Sequence, residues 1–216
     1  QAGLSYIGVA VPVGRLTVAQ MRAIAGVADM FGSGEIRLTV WQNLILPNIP
    51  TEKLEAARRA IADAGLCDSA GTFAAGAVAC TGNKGCRYSA TDTKAHALQL
   101  AGFLDERFKI HQPLNLHVTG CPHSCAQHYI GDIGLLGAKV GGEEGYQVLI
   151  GGGSDERQTL ARELIPAIRF PDLPPILERL FQAFEERRCE DESFLAFTRG
   201  HEIEQLKEML SVKEHA

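Results

Sequence analysis

CTGNKGC, residues 80–86, sets two cysteines six positions apart around small, turn-prone residues, and TGCPHSC, residues 119–125, sets two more four apart. What precedes each pair decides the fold. GTFAAGAVAC (71–80) reads as a strand running into Cys80, and PLNLHVTGC (113–121) as a strand running into Cys121. Between them ATDTKAHALQLAGFLDERF (90–108) reads as a helix. Both pairs then lie at the C-terminal ends of strands, where an α/β sheet places its ligand-binding groups. The helix after the first pair turns its N-terminus and backbone N–H groups toward the thiolates, which favours the deprotonated, metal-binding form.

Upstream, LSYIGVAVPV (4–13) is β-rich, and TVAQMRAIAGVADMFG (17–32) is a helix with Thr17 and Gln20 spaced as a capping box and Gly32 as its stop. EIRLTV (35–40) and NLILPNI (43–49) are strand-like runs joined near Trp41 and Gln42. TEKLEAARRAIADAGL (51–66) carries Leu54, Ala57, Ile61 and Ala64 at helical spacing before Gly65. This unit reads β-α-β-β-α, a small sheet with helices on one face. Downstream, YIGDIGLLGAKV (129–140) and GYQVLIGGG (145–153) read as paired strands. PPILERLFQAFEERR (174–188) is a helix with Leu177, Leu180, Phe181 and Phe184 on one face, and HEIEQLKEML (201–210) a short terminal one. The expected fold class is α+β: a ferredoxin-like subdomain over 1–68, a larger mixed-sheet α/β subdomain over 69–200, and a C-terminal helix over 201–216.

Composition excludes several classes. Net charge is −5 with both signs interspersed, and no basic stripe is interleaved with aromatics, so no nucleic-acid partner is expected. No apolar run approaches the ~20 residues of a membrane helix. The start, QAGLSYIG, has neither an initiator Met nor a signal-peptide pattern, and reads as a fragment or a processed product. Six cysteines are few for this length, so metal or redox use of the clustered four outranks a disulfide framework. Structural zinc prefers pairs separated by two to four residues, which the first pair exceeds. Spacing favours an iron–sulfur site and leaves zinc and disulfides open. Cys67 and Cys189 read as ordinary half-buried thiols, His117 as a satisfied sheet histidine, and the glycines at 151–153 as a turn.

With RLTVWQNLILPNI (37–49) upstream, the two cysteine loops resemble the C-terminal half of the sirohaem-dependent nitrite and sulfite reductases. GLSYIGVAVPVGRL (3–16) and GSGEIRLTVWQNLILPNI (32–49) are most similar to the ferredoxin-dependent nitrite reductase branch, and GDIGLLG (131–137) and VLIGGG (148–153) match as well. The resemblance implies that Cys80, Cys86, Cys121 and Cys125 ligate a 4Fe-4S cluster, with Cys125 shared with sirohaem as its proximal ligand. It implies reduction of nitrite to ammonia, an electron supply from ferredoxin or another low-potential donor, and a cytoplasmic or plastid-stromal setting. Sulfite reductase, a precorrin-3B synthase-like enzyme and a non-catalytic electron-transfer or assembly module are the alternatives.

Arg37, Thr39, Gln42 and Asn43 become candidate sirohaem contacts or contacts between halves, against a plain reading as turn and cross-strand polar groups. His123 stands where the family carries Asn, and reads either as a surface variant or as a hydrogen-bond donor to the cofactors. Lys84, Arg87 and Lys94 offer a docking patch to an acidic donor. The family's distal anion-gripping residues belong to an N-terminal half that is missing from this chain, so no nitrite-binding lysine or arginine is assigned here.

Overall fold

The computed structural model describes residues 2–153 and 158–210. The N-terminal strand β1 (Leu4–Val9) leads into α1 (Val18–Phe31), whose start is the expected capping box. Thr17 Oγ accepts from Gln20 N–H at 3.2 Å, and Thr17 N–H donates to Gln20 Oε1 at 3.0 Å. Strands β2 (Arg37–Leu38) and β3 (Leu44–Pro50) and helix α2 (Leu54–Asp63) complete the unit, in the antiparallel order β1-β3-β2. Ile7, Val9, Ile24, Leu46, Ile49 and Ile61 form its core. The β2 strand is shorter than expected. At Thr39 the chain leaves the sheet for a turn, closed by Thr39 N–H to Asn43 O at 3.0 Å with Gln42 at φ +61°.

The second unit is built on a five-stranded sheet in the order β4-β5-β6-β7-β8. It contains α3 (Thr72–Ala75), β4 (Ala77–Ala79), α4 (Thr93–Arg107), β5 (Leu116–Thr119), β6 (Ile133–Val140), β7 (Glu143–Ile150) and β8 (Arg162–Arg169). Helices α5 (Leu173–Arg187), α6 (Phe194–Gly200) and α7 (Ile203–Leu210) follow. The first three strands run parallel, and β6-β7-β8 are antiparallel. Leu177, Leu180, Phe181 and Phe184 of α5 are fully buried on one face. Phe181 centres an aromatic cluster, with its ring 4.8 Å from Phe73 and 4.6 Å from Phe194.

Several expectations need correction. The stretch 71–80 is not one strand: 72–75 are helical, because the Asp105 carboxylate of α4 accepts from the Phe73 and Ala74 N–H groups at 3.0 and 2.9 Å. That cap comes from a distant residue. β8 was not foreseen, since Pro166 argues against a strand. It is tolerated here because β8 is an edge and pairs with β7 through register shifts beside the proline. Helix α6 also escaped prediction. It is short, and it is held by Phe194 and Phe197 against α5. Cys67 and Cys189 are exposed, not half-buried. Cys67 pairs its backbone with Ala10 while its side chain faces out, and Cys189 lies beyond the end of α5. The expected turn at 151–153 has Gly151 and Gly153 at positive φ, and the expected terminal helix beyond Leu210 lies outside the described residues.

Candidate metal centre

Parallel pairing of β4 with β5 sets Ala79 beside Val118, so the residues that follow each strand emerge side by side. Cys80 N–H donates to Val118 O at 3.1 Å. In return, the Gly120 N–H points at Cys80 Sγ from 3.3 Å, and Thr93 Oγ lies 3.5 Å from the same sulfur. The first loop turns at Gly82 (φ +73°), whose carbonyl accepts from Cys86 N–H at 2.9 Å. Ala90 N–H to Gly120 O, 2.7 Å, stitches the two loops together. A side chain is not accommodated at Gly120, where a Cβ would stand 1.7 Å from Ser89 Oγ.

Cys121 is buried, Cys80 and Cys86 are half-buried, and Cys125 is exposed. All are free thiols. Among the described residues no three His, Cys, Asp or Glu side chains converge closely enough to hold one metal ion. Four thiols divided between two stitched loops suit a larger, multi-iron group, whose size spaces its ligands apart. Donors already aimed at sulfur, Gly120 N–H above all, fit a ligand set that carries negative charge.

Residues 71–200 match the nitrite and sulphite reductase 4Fe-4S domain, and residues 1–64 match the nitrite/sulfite reductase ferredoxin-like half domain. The chain belongs to the nitrite and sulphite reductase family. The chloroplastic ferredoxin–nitrite reductase of Zea mays is 39% identical over 203 residues, covering 89% of this chain and 36% of that protein. The ferredoxin–nitrite reductase of Synechococcus elongatus is 36% identical over 184 residues, covering 83% of this chain and 36% of that protein. Among solved structures, Mycobacterium tuberculosis NirA superposes with a TM-score of 0.86 at 28% identity, covering 95% of this chain and 40% of that one. The chain thus spans about a third of the length of the curated relatives it matches.

The other candidates fall in three places. His123 is at the cysteine loop, exposed, with Nδ1 3.4 Å from Cys121 Sγ and its ring edge-on to Tyr88. Arg37 is remote and exposed, paired with Glu35 at 2.7 Å, and that carboxylate raises its pKa. Thr39, Gln42 and Asn43 form the turn that reaches the second unit. The Gln42 amide accepts from Ala79 N–H (3.2 Å) and donates to Ala79 O (3.0 Å), pairing with the residue before Cys80 as a strand would. Asn43 accepts from Val11 N–H and donates to Ala75 O, each at 2.9 Å. Trp41 places its ring edge-on to His117, 5.1 Å away. Of the basic trio, Lys84 is exposed and Arg87 lies over Tyr88, whereas Lys94 turns inward and donates to the carbonyls of Val13 and Ala79. Burial and nearby Arg15 lower its pKa, opposed by Cys80.

Sequence reasoning missed two supports. Glu144, on β7, accepts from Asn83 in the first loop (2.6 Å) and from Asp92 N–H at the start of α4 (2.8 Å). Burial raises its pKa, but those two hydrogen bonds, with His96 and Lys139 nearby, hold it below the usual carboxylate value. The sequence carries no local sign of a contact spanning so much chain. The second support is a pair of fully buried histidines, His117 and His128, each bonded through Nδ1 to the second loop. Burial lowers both pKa values, that of His128 to about 4 with the help of His117, so both are neutral near pH 7. A histidine of alternating strand register was visible in the sequence, but its use was not.

No helix among the described residues is long and apolar enough to cross a membrane.

Proposed function

We propose that this chain is the cluster-bearing part of a ferredoxin-dependent nitrite reductase that converts nitrite to ammonia with six electrons. Cys80, Cys86, Cys121 and Cys125 would hold a 4Fe-4S cluster, and Cys125 would also serve the sirohaem. The observation that carries this reading is the stitched pair of loops presenting four free thiols from the ends of adjacent parallel strands. The relatives named ferredoxin–nitrite reductase support the choice of substrate and donor.

When bound, the coupled cofactors supply one-electron storage and a substrate-binding iron. The chain supplies their setting. Gly120 N–H, aimed at Cys80 Sγ, lowers the cost of thiolate charge, while the Thr93 hydroxyl donates to Cys80 O at 2.8 Å and holds the loop in place. Of the four thiols Cys121 is buried and Cys125 is exposed, so Cys125 is the one open to a second cofactor. Lys84 and Arg87, beside the first loop, form a small basic flank for an acidic ferredoxin. The anion-gripping side of the pocket comes from the N-terminal half of the assembly. Cytosol or plastid stroma is the compartment proposed for free thiols of this kind.

Iron, labile-sulfide and sirohaem analysis of the purified holoprotein tests the reading. Cys80→Ser, Cys86→Ser and Cys121→Ser lose the cluster, and Cys125→Ser loses the cluster and sirohaem together. Ferredoxin-driven turnover favours nitrite over sulfite. Zinc without labile sulfide would falsify the cluster assignment. With the N-terminal half supplied, faster turnover of sulfite overturns the substrate, and a cofactor-loaded assembly inert to both anions makes the chain an electron-transfer module.

A further inference from the structure

Ser124 and Gln127 flank Cys125 and Ala126, and both have φ +56°, a left-handed conformation that costs a residue with a Cβ. Nothing in SCAQ supplies a glycine to relieve it. Each of the two is instead tied to a buried ring. His117 Nδ1 lies 2.9 Å from Gln127 O, and His128 Nδ1 lies 3.1 Å from Ser124 Oγ. Gln127 N–H closes the turn on Ser124 O at 2.8 Å. Both rings are fully buried, and their Nε2 atoms have no hydrogen-bond partner among the described residues. Packing fixes the rings: Trp41 stands edge-on to His117, and Tyr129 lies 3.9 Å from the ring of His128. Two buried imidazoles therefore direct hydrogen bonding at the two left-handed positions, and the thiol between those positions is the exposed one of the four.

We propose that His117 and His128 are positioning residues for Cys125, holding Ser124 and Gln127 left-handed so that its sulfur faces the bridging position. The proposal rests on the reading of Cys125 as a cluster ligand. Neither histidine touches the cofactors in this scheme. His117 acts through the Gln127 carbonyl and His128 through the Ser124 hydroxyl, as the outer partners of metal ligands commonly do.

The test compares Ser124→Ala with Ser124→Gly in the cofactor-loaded protein. Both remove Oγ, but only glycine takes φ near +56° without strain. S124A shifts the midpoint potential of the cluster and the EPR spectrum of its reduced form and lowers the sirohaem content, while S124G stays close to the parent. Parent-like behaviour of both overturns the clamp. Equal damage in both also overturns it, because the hydroxyl would then act directly on a cofactor. His128→Phe keeps an aromatic ring and loses Nδ1. It speeds amide exchange at residues 125–127 about tenfold, the scale of one left-handed residue released, and H128F/S124G recovers the cluster spectrum. Unchanged exchange in H128F sinks the idea, and if H128F does not fold, the Ser124 pair decides alone. Cys125→Ser tells the two claims apart. If it keeps iron, sulfide and sirohaem, the reading of Cys125 falls, while exchange at 125–127 still judges the clamp.

Discussion

Gly120 shows how little freedom the candidate site leaves a single residue. Its N–H is aimed at Cys80 Sγ, its carbonyl holds Ala90, and the space a Cβ requires is filled by Ser89, whose own Cβ would lie 2.8 Å from it. Gly120→Ala forces the loops apart. The expected cost is about 1–3 kcal/mol of stability with reduced iron content, and an unchanged melting temperature and iron-to-protein ratio would contradict it. Protonation acts at the same scale. His96, His117 and His128 all have pKa values lowered by burial, His96 despite opposing Glu144 and Asp92. The unfolded chain binds protons near the ordinary 6.5 that the folded chain refuses. Their contribution to stability is thus complete above about pH 6.5 and is lost as pH falls toward the folded value of about 4 for His128. His128 accounts for up to about 3 kcal/mol of that loss. Urea titrations of the chain at a series of pH values measure the slope, which H128F flattens.

Among the elements, α5 and α3 illustrate what a sequence can and cannot announce. The apolar face of α5 was legible because four residues at helical spacing have one physical use, and all four are buried. Phe181→Ala removes the hub of the aromatic cluster and costs about 3–5 kcal/mol by equilibrium denaturation; a loss below 1 kcal/mol would mean the cluster repacks. The helix α3 was illegible because its cap, Asp105, lies on another helix and its own four residues TFAA are too few to show a helical period. Asp105→Ala leaves the Phe73 and Ala74 N–H groups unpaired and costs about 1–2 kcal/mol. Amide exchange at those two residues reports the loss directly. The strand β8 was hidden for the opposite reason, since Pro166 gave a local signal against a strand that edge placement overrides. The cysteine loops could be placed at strand ends from their flanks alone. The histidines and Glu144 that brace them could not, because a brace declares itself only once distant elements are neighbours.

Across the whole molecule, the two units are joined by polar contacts made through backbone. Gln42 completes β4 from outside, Asn43 bridges Val11 and Ala75, and Lys94 reaches back to Val13. Residues that resemblance suggested as cofactor contacts thus have, in Gln42 and Asn43, side chains already engaged at this joint. Gln42→Ala leaves both polar groups of Ala79 without those partners, at a cost of about 1–3 kcal/mol. Calorimetry then resolves two transitions where the parent shows one, and a single transition at the parental temperature would refute the joint. The parallel pairing of β4 and β5 has one more consequence, and it concerns time. The β6-β7 hairpin can close from neighbouring residues, but β4 meets β5 only after α4 has been laid across the sheet. Cys80 and Cys121 are strangers in the nascent chain and become neighbours late in folding. Under the proposed cluster assignment, delivery of iron and sulfide would find the four thiols assembled only on a chain that has already folded, and a chain stalled before that crossover would offer its thiols to oxidants instead.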